Sequence, residues 1–292
     1  MTLTVVGTGL IGGSIALDLK ARGFASHVIG VDANPLHAQQ ALALGLVDEI
    51  ADLRGGISRG DLIVLAVPVN AIVEILPSVL DWTSLGSVVT DVGSTKGAIC
   101  EAAEKSSRRS RFVPSHPIAG TENSGPPAAI TGLFDSRTAI ICDEERCDAR
   151  AAAVVRKMYE TLGMRVISME SGIHDRHIAY VSHISHVVSF ALATTVLEIE
   201  QSENMIFDLA SSGLDSTVRL AKSSPDMWAP ILAQNAPYIS EALDSYMRHL
   251  SRFKELIEDR NEGEAHAFMK GGNEIRRVLD HITVRGESWK QR

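Results

Sequence analysis

The sequence is short of cysteine and of clustered positive charge, and each shortage excludes a class of protein. Its three cysteines show no CxxC spacing, which argues against a disulfide framework and against a thiolate zinc site. The net charge is −8 at pH 7, and the longest basic run is the short SSRRSR of residues 106–111. Phosphate binding needs clustered Lys and Arg, so nucleic acid is excluded as the main partner.

The sequence also predicts neither a membrane-spanning segment nor a secretion signal. The chain starts with the strand-like TLTVV, with no basic leader or apolar signal region before it. The longest apolar stretch, HVVSFALATTVLEIE, is broken by Ser, Thr and Glu and is too polar to cross a bilayer. We therefore expect a reduced, soluble, cytoplasmic protein.

What the first half does contain is an alternation of short apolar runs with helical segments. Such alternation predicts a mostly parallel sheet that is covered by helices on both faces. The runs predict strands at 3–6, 28–31, 62–67, 87–92, 111–114 and 138–142, and a last edge strand at 165–169.

The pattern changes to helical from about residue 173, with few strand signals after it and further helices at roughly 229–260 and 262–281. A length of 292 residues suits two domains of ordinary size. We place the boundary near residue 170, which gives a Rossmann-type α/β domain over 1–170 and an all-helical domain over 171–292. A helical domain of this size cannot easily bury the apolar stretch 187–199, so we expect it to form a homodimer through this domain.

Three glycines after the first strand form a GxGxxG pattern, which is weak evidence alone but here stands between a strand and a helix. Gly7 permits the tight turn, Gly9 lets the backbone approach a pyrophosphate, and Gly12 lets the helix pack on the strand. The helix N-terminus offers free N–H groups to the phosphates. The alternative is a tight turn without a ligand. The remaining predicted contacts of this turn are Thr8, Leu10 and Ile11.

Asp32 ends the next strand, 20 residues after Gly12. A carboxylate there accepts hydrogen bonds from both ribose hydroxyls and repels a 2′-phosphate. No Arg or Lys follows it directly, so the sequence favours NAD over NADP as the cofactor. Val67 and Pro68, at the end of the strand 62–67, are expected to form an apolar wall beside the adenosine or the nicotinamide.

Two segments leave strands at the edge where ligands bind in an open α/β sheet, and they offer Ser94 and His116. Ser94 precedes a helical segment, so a role as its N-cap is as well supported by spacing as a catalytic role. A lone histidine is more often structural than catalytic. The position of His116, at a strand-to-loop corner beside a Gly-rich loop, favours chemistry.

Five segments occur in the same order over about residues 3–260, and together they resemble the prephenate and arogenate dehydrogenase family. They are GTGLIGGS, DVGSTKG, SHPIAGTENSG, HDRHIAYVSHISHVVSFAL and VRLAKSSPDMW. The resemblance implies an oxidative decarboxylation in tyrosine biosynthesis, in which the substrate loses a hydride to the nicotinamide and then carbon dioxide. Whether the substrate is prephenate or arogenate stays open.

The resemblance also implies roles for individual residues. The catalytic histidine of the family falls on His116, which suits proton transfer near neutral pH, and a hydrogen-bonding serine falls on Ser94. The arginine that binds a substrate carboxylate falls on Arg219, where a guanidinium can donate two parallel hydrogen bonds. From the residues alone, Arg219 could equally be a surface residue paired with Asp215. The family's other pocket residues fall on His183, Thr121 and Glu122, and Trp228 suits the pocket or the core.

Three alternatives remain beside this reading. Four histidines invite a zinc site, but at about 100° per residue they form two pairs on opposite sides of one helix, so we expect no metal. They are His174, His177, His183 and His186. A β-hydroxyacid dehydrogenase shares the architecture but uses a helix lysine, for which Lys222 is the nearest candidate. A sensor that binds NAD without turnover is the third.

Overall fold

The structure is a computed structural model that describes residues 1–203 and 207–280, except for the side chains of 201–203. Its contacts define two compact units, Met1–Ala236 and Pro237–Arg292. The larger unit continues past the predicted boundary near residue 170 and includes every residue predicted for the site. Residues 281–292, at the end of the predicted helical domain, lie outside the described residues.

A six-stranded sheet, parallel throughout, forms the centre of the larger unit, in the order β3-β2-β1-β4-β5-β6. The order reverses between β1 and β4, as in dinucleotide-binding folds, and ligands bind at the carboxyl ends of the strands at this switch point. In register, Val5 of the central strand pairs with Gly30 on one side and with Val64 on the other. The strands are β1 (Thr2–Val6), β2 (His27–Val31), β3 (Glu49–Ile50), β4 (Leu62–Leu65), β5 (Val88–Asp91) and β6 (Phe112–Val113).

A second sheet holds the remaining strands in the order β7-β8-β9, which are Ser115–Pro117, Thr138–Cys142 and Arg165–Met169. β7 is antiparallel to β8, and β8 is parallel to β9. The prediction of one sheet is wrong here: the strand predicted over 111–114 ends as β6 before Pro114, and β7, which was not predicted, begins after it. Proline has no N–H group to donate to a strand ladder, so the chain leaves the first sheet there and enters the second.

Helices cover both faces of the main sheet. Neighbouring strand residues point to opposite faces, so Val5 packs with α1 and α6 while Val6 packs with α3, α4 and α5. The helices of this unit are α1 (Leu10–Ala21), α2 (Pro35–Ala43), α3 (Leu53–Arg59), α4 (Val69–Trp82), α5 (Gly97–Ala103), α6 (Ala149–Thr161), α7 (Ser171–Ile178), α8 (Ile184–Glu203), α9 (Ser212–Val218) and α10 (Pro225–Gln234).

One nearly continuous helix runs over Ser171–Glu200, with a π-helical turn, Ala179–His183, between α7 and α8. By length and a mean hydropathy of 1.3 it could cross a membrane, contrary to the sequence argument, and only 11% of its apolar window is buried. Its first part holds two wholly buried histidines, His174 and His183. The rest of this helix therefore presents an exposed apolar surface, which is typical of a protein interface.

The smaller unit contains α11 (Ala236–Glu258) and α12 (Glu262–Gly272). Phe253 and Phe268 stack between these helices with ring centroids 5.2 Å apart, and Arg252 forms an ion pair with Glu264. The helix predicted over 229–260 is divided at Asn235, and the last residue of the helix predicted over 262–281 lies outside the described residues.

Candidate active site

The turn between β1 and α1 has the close backbone approach that a dinucleotide needs. Gly7 has a φ of 95°, and a Cβ there would lie 2.4 Å from the carbonyl oxygen of Ala66. A Cβ on Gly12 would lie 2.0 Å from the oxygen of Gly7, whereas one on Gly9 would meet nothing nearer than 3.8 Å. No side chain caps α1, so the N–H groups of its first turn are free to bind a phosphate. The turn therefore fits a bound dinucleotide.

Asp32 follows β2 at the same edge of the sheet. Its Oδ2 accepts hydrogen bonds from the amide of Thr8 at 3.0 Å and from the Thr8 hydroxyl at 2.9 Å, and its Oδ1 accepts from the amide of Asn34. These bonds fix the carboxylate next to the phosphate turn, in the position that a ribose requires. The other predicted cofactor contacts begin α1 or follow β4: Leu10, Ile11, Val67 and Pro68.

His116 lies in β7, paired with Ile140 of β8, and not at a strand-to-loop corner. Its ring is partly buried, and its Nδ1 lies 2.9 Å from Nε2 of the wholly buried His174. The Nδ1 of His174 lies in turn 2.8 Å from Oδ1 of Asp175. Burial lowers the pKa of His116 well below the ordinary 6.5, and His174 and Lys96 lower it further. The His116 imidazole is therefore neutral at neutral pH.

A wholly buried ion pair, Lys96 with Asp91, stands next to β7. The Nζ of Lys96 also donates to the carbonyl oxygen of Ser115 at 2.7 Å, and Oδ1 of Asp91 accepts from the Ser115 amide at 3.1 Å. Burial raises the pKa of Asp91, and the ammonium of Lys96 opposes that rise. Asp91 ends β5 and Ser115 begins β7, so this pair fastens the strand of His116 to the nucleotide-binding sheet.

Asp175 caps α5 from another helix. Its Oδ1 accepts from the amide of Lys96 at 2.7 Å and its Oδ2 accepts from the amide of Gly97 at 2.8 Å. Burial raises the pKa of Asp175, but the hydrogen bonds from His174 and from these two amides outweigh burial and lower the pKa below its ordinary value. The alternative in which Ser94 is the N-cap is wrong, because Lys96 holds that position. Ser94 lies partly buried in the loop after β5.

Buried polar side chains gather around Trp228. His183 is wholly buried, and its Nδ1 lies 3.0 Å from Nδ2 of Asn235, which also donates to the carbonyl oxygen of Asp175 at 2.8 Å. The Trp228 ring stacks on His186 at 3.5 Å between centroids and meets His183 edge-on at 5.8 Å. Within the described residues, three buried atoms here lack a hydrogen-bond partner: Nε2 of His183, Nε1 of Trp228 and Oδ1 of Asn235.

The predicted placement of the four histidines is wrong because the helix is not regular. The π-helical turn changes the phase between His174 and His183 from that of a regular helix, and both side chains are wholly buried. His177, which the regular helix pairs with His174, is exposed. Residues 1–203 and 207–280 contain no group of three or more His, Cys, Asp or Glu side chains arranged to hold a metal ion.

Arg219 is exposed and has no ion-pair partner among the residues that the structure describes. The alternative that pairs it with Asp215 is wrong, because Lys222 donates to that carboxylate at 2.6 Å. The positive charge of Arg219 adds to the effect of burial, which is larger, in lowering the pKa of His186. Arg219 is thus a free cation close to the ring that stacks on Trp228.

The turn that begins with Arg219 is held against α8 by one hydroxyl. The Oγ of Ser189 donates to the carbonyl oxygen of Thr217 and accepts from the amide of Ala221, each at 3.1 Å. Ser189 follows His186 by one helical turn, so these two bonds keep the guanidinium near His186.

Thr121 and Glu122 are exposed in the loop that follows β7. The Thr121 hydroxyl accepts from the amide of Asn123 at 3.2 Å. In the described part of the chain, neither side chain has a hydrogen bond to another predicted site residue. The structure therefore gives His116 and His183 buried hydrogen-bond partners, leaves Ser94 in the loop after β5, and exposes Thr121 and Glu122.

Sequence reasoning missed four residues of this arrangement, namely Lys96, His174, Asp175 and Asn235. A signal existed for the first three, since they lie within the segments DVGSTKG and HDRH that carry the family resemblance. Asn235 lies in no such segment, and only the fold brings it to Asp175.

A turn that fits a dinucleotide at the carboxyl edge of a parallel sheet, together with a neutral, partly buried histidine on a strand held at the end of β5, is the arrangement of a nucleotide-dependent oxidoreductase. Residues 15–168 match the domain family described as "Prephenate dehydrogenase, nucleotide-binding domain". Residues 170–271 match the family described as "Prephenate dehydrogenase, dimerization domain". The chain belongs to the prephenate dehydrogenase family.

Individual relatives agree with the family. A cyclohexadienyl dehydrogenase of Zymomonas mobilis is 30% identical over 87% of this chain and 88% of its own. The crystal structure of prephenate dehydrogenase from Aquifex aeolicus in complex with hydroxyphenyl propionate and NAD+ is 30% identical, with a TM-score of 0.88, over 96% of this chain and 98% of that one. A Synechocystis arogenate dehydrogenase is 30% identical, with a TM-score of 0.76, over 96% and 100%.

These matches confirm the predicted family, the Rossmann-type fold with a helical C-terminal part, and the dimer. The family's dimerization domain contains the apolar face of Ser171–Glu200, so the second subunit of the homodimer accounts for that exposed face.

Proposed function

We propose that the chain catalyses the NAD-dependent oxidative decarboxylation of prephenate or arogenate, a step of tyrosine biosynthesis, in the cytoplasm. The names of its relatives support this reaction. The observation that carries it is the neutral imidazole of His116, on the strand that Lys96 and Asp91 hold at the carboxyl end of β5 in a sheet whose β1–α1 turn fits a dinucleotide. We also propose a nucleotide-binding domain over 1–170 and a substrate-binding, dimerising domain over 171–292, a division that the two family matches support.

The cofactor is held by the turn Gly7–Gly12 and by Asp32. The bare N-terminus of α1 binds the pyrophosphate, and the fixed Asp32 carboxylate accepts hydrogen bonds from the ribose hydroxyls and repels a 2′-phosphate. Bound NAD supplies the hydride acceptor. The close backbone contacts at Gly7 and Gly12 leave no room for a side chain at either position.

The substrate is an anion, so its binding needs a cation without a partner. Arg219 meets that need, because no carboxylate in the described residues neutralises it and Ser189 fixes the turn on which it lies. A guanidinium can bind a carboxylate through two parallel hydrogen bonds. His183 positions the substrate from the buried side, and Thr121 and Glu122 line the rim.

His116 acts as the general base. As the hydride leaves the C4 carbon of the substrate ring, the hydroxyl on that carbon loses its proton to the imidazole. The Ser94 hydroxyl donates a hydrogen bond to the same substrate oxygen. The carbon–carbon bond to the ring carboxylate then breaks, and its electron pair enters the ring. Carbon dioxide leaves, and the aromatic product makes the step effectively irreversible. A general base of this kind contributes about 10²–10⁴ in rate.

The proposal is tested by assaying the purified chain with prephenate and with arogenate, each with NAD and with NADP. Reduced cofactor appears as a rise in absorbance at 340 nm. We expect turnover with at least one substrate, faster with NAD, and a rate about 10²–10⁴-fold lower with His116→Ala at the same enzyme concentration. Cofactor binding without turnover of either substrate would instead establish the NAD-binding sensor. The β-hydroxyacid alternative is weakened because its candidate base, Lys222, is exposed and paired with Asp215.

A further inference from the structure

We propose that His174 and Asp175 are positioning residues that fix the tautomer of His116, so that its Nε2 is the nitrogen that accepts the substrate proton. The proposal rests on the proposed function and names the atom that performs it. It is carried by an unbroken chain of short contacts, from two helix N–H groups through a carboxylate and a buried imidazole to the ring of His116.

The donor and the acceptor of each hydrogen bond in this chain of contacts can be identified by starting from Asp175. This carboxylate already accepts the amides of Lys96 and Gly97, which lie at the positive end of the α5 dipole, and these bonds keep it ionised. An ionised carboxylate can only accept. The Nδ1 of His174, 2.8 Å away, must therefore carry a proton and donate it to Asp175.

The same reasoning passes through His174 to His116. Burial, the largest influence, lowers the pKa of His174 although Asp175 opposes that shift, so the ring carries one proton and its Nε2 is bare. A bare nitrogen accepts, so at 2.9 Å the Nδ1 of His116 must be the donor. His116 is itself neutral, and its Nε2 then has a free lone pair.

This arrangement leaves the reacting nitrogen on the side away from His174. The hydroxyl O–H bond breaks and its proton joins Nε2, and the resulting imidazolium still donates from Nδ1 to His174. When the product oxygen takes the proton back from Nε2, the starting tautomer is restored. A His116 with its proton on Nε2 could donate to the hydroxyl but could not accept from it.

The tautomer can be read without substrate, from the ¹⁵N chemical shifts of the enzyme labelled at histidine and measured by solid-state NMR at pH 7. The signals of His116 are assigned as those that disappear in His116→Gln. We expect a protonated Nδ1 and a bare Nε2. A protonated Nε2 on His116 would overturn the proposal, and this result is independent of whether the enzyme turns over prephenate or arogenate.

A matched pair of variants tests the positioning role in turnover. In His174→Leu no acceptor faces His116, and we expect kcat to fall by about 10²- to 10⁴-fold, the contribution of a correctly protonated base, with NAD binding unchanged. In His174→Gln the side-chain oxygen can replace the imidazole nitrogen as acceptor, and we expect a loss within about tenfold. The exposed His177→Gln on the same helix serves as the control.

Unchanged kcat in a folded His174→Leu would contradict the proposal. So would equal losses in His174→Leu and His174→Gln, because only a lost ring shape would then explain both. If His174→Leu does not fold, the tautomer of the wild-type enzyme together with the activity of His174→Gln decides the question. Absence of turnover in the wild type would refute the proposed function and leave the tautomer measurement standing.

Discussion

The Nζ of Lys96 donates to the carbonyl oxygen of Ser115 at 2.7 Å, so an ammonium at the start of α5 holds the residue next to His116. The same ammonium is paired with Asp91, and both side chains are wholly buried. The charge therefore has two effects on the site. It fixes the start of β7, and it disfavours a second positive charge on His116.

Replacing Lys96 should be strongly destabilising, because Asp91 would remain buried without its partner. For Lys96→Met we expect the free energy of unfolding to fall by about 3–5 kcal/mol, measured by urea denaturation at fixed protein concentration. The double variant Asp91→Asn with Lys96→Met should recover part of the loss. The exposed Lys105→Met serves as the control, with a change within about 0.5 kcal/mol. A loss for Lys96→Met no larger than that of the control would contradict the structural role of this ion pair.

His116→Ala should separate chemistry from cofactor binding. We expect kcat to fall by about 10²–10⁴ because the base is lost, while the dissociation constant for NAD, measured by calorimetry, stays within about twofold. The wild-type enzyme should keep its activity as the pH falls through 6.5, since the pKa of His116 lies well below that value. An unchanged kcat in the variant would remove His116 from the mechanism.

Arg219→Ala should weaken substrate binding more than catalysis. A hydrogen bond to a charged group contributes about 1.5–3 kcal/mol, which corresponds to a rise in KM of about 10- to 150-fold with kcat much less affected. Lys222→Ala, three residues along the same turn, serves as the matched control because its ammonium is already paired with Asp215. Equal KM values in the two variants would place Arg219 on the surface without a role in binding.

Asp32→Ser should narrow the preference for NAD over NADP. The carboxylate is fixed by Thr8 and Asn34, and its removal takes away the charge that repels a 2′-phosphate. We expect the ratio of kcat/KM for the two cofactors to shift toward NADP by about tenfold or more. A ratio unchanged from the wild type would show that another residue discriminates between the cofactors.

His183 should make stability depend on pH. Burial lowers its pKa in the folded state to about 4, while in the unfolded chain it is about 6.5. Between these values the unfolded chain binds the proton first, so stability is complete above about pH 6.5 and is lost as the pH falls toward 4. In His183→Asn, the difference in unfolding free energy between pH 7 and pH 5 should be about 2 kcal/mol smaller, from urea denaturation. A difference equal to that of wild type would show that His183 does not contribute.

Much of the fold followed from local sequence. The strands at 138–142 and 165–169 were predicted to the residue, because apolar β-branched runs there are bounded by polar turns. Their membership in a second sheet was missed, since strand pairing depends on contacts between distant segments. Pro114 was the local sign that the chain could not continue in the first sheet.

The site residues that were predicted lie in recognisable sequence motifs. The residues that were missed, such as His174, hold another site residue in place. His116 stands out in the sequence because a Gly-rich segment follows it, whereas its partner His174 lies 58 residues later in the chain. No spacing rule joins two such positions. The regular-helix assumption failed at the π-helical turn for a similar reason, because the turn is stabilised by tertiary contacts such as that between Asn235 and His183.

Because of the π-helical turn Ala179–His183, the positions of the side chains that follow depend on the number of residues in this turn as well as on their identity. With one residue removed there, the helix could return to a regular course, and everything after the turn would rotate by about 100°. His183 and His186 would then leave Asn235 and Trp228, although every side chain of the site would still be present. The number of residues between the two histidine segments therefore matters as much as their identity, and a deletion in this turn should present a different face of the helix to the substrate.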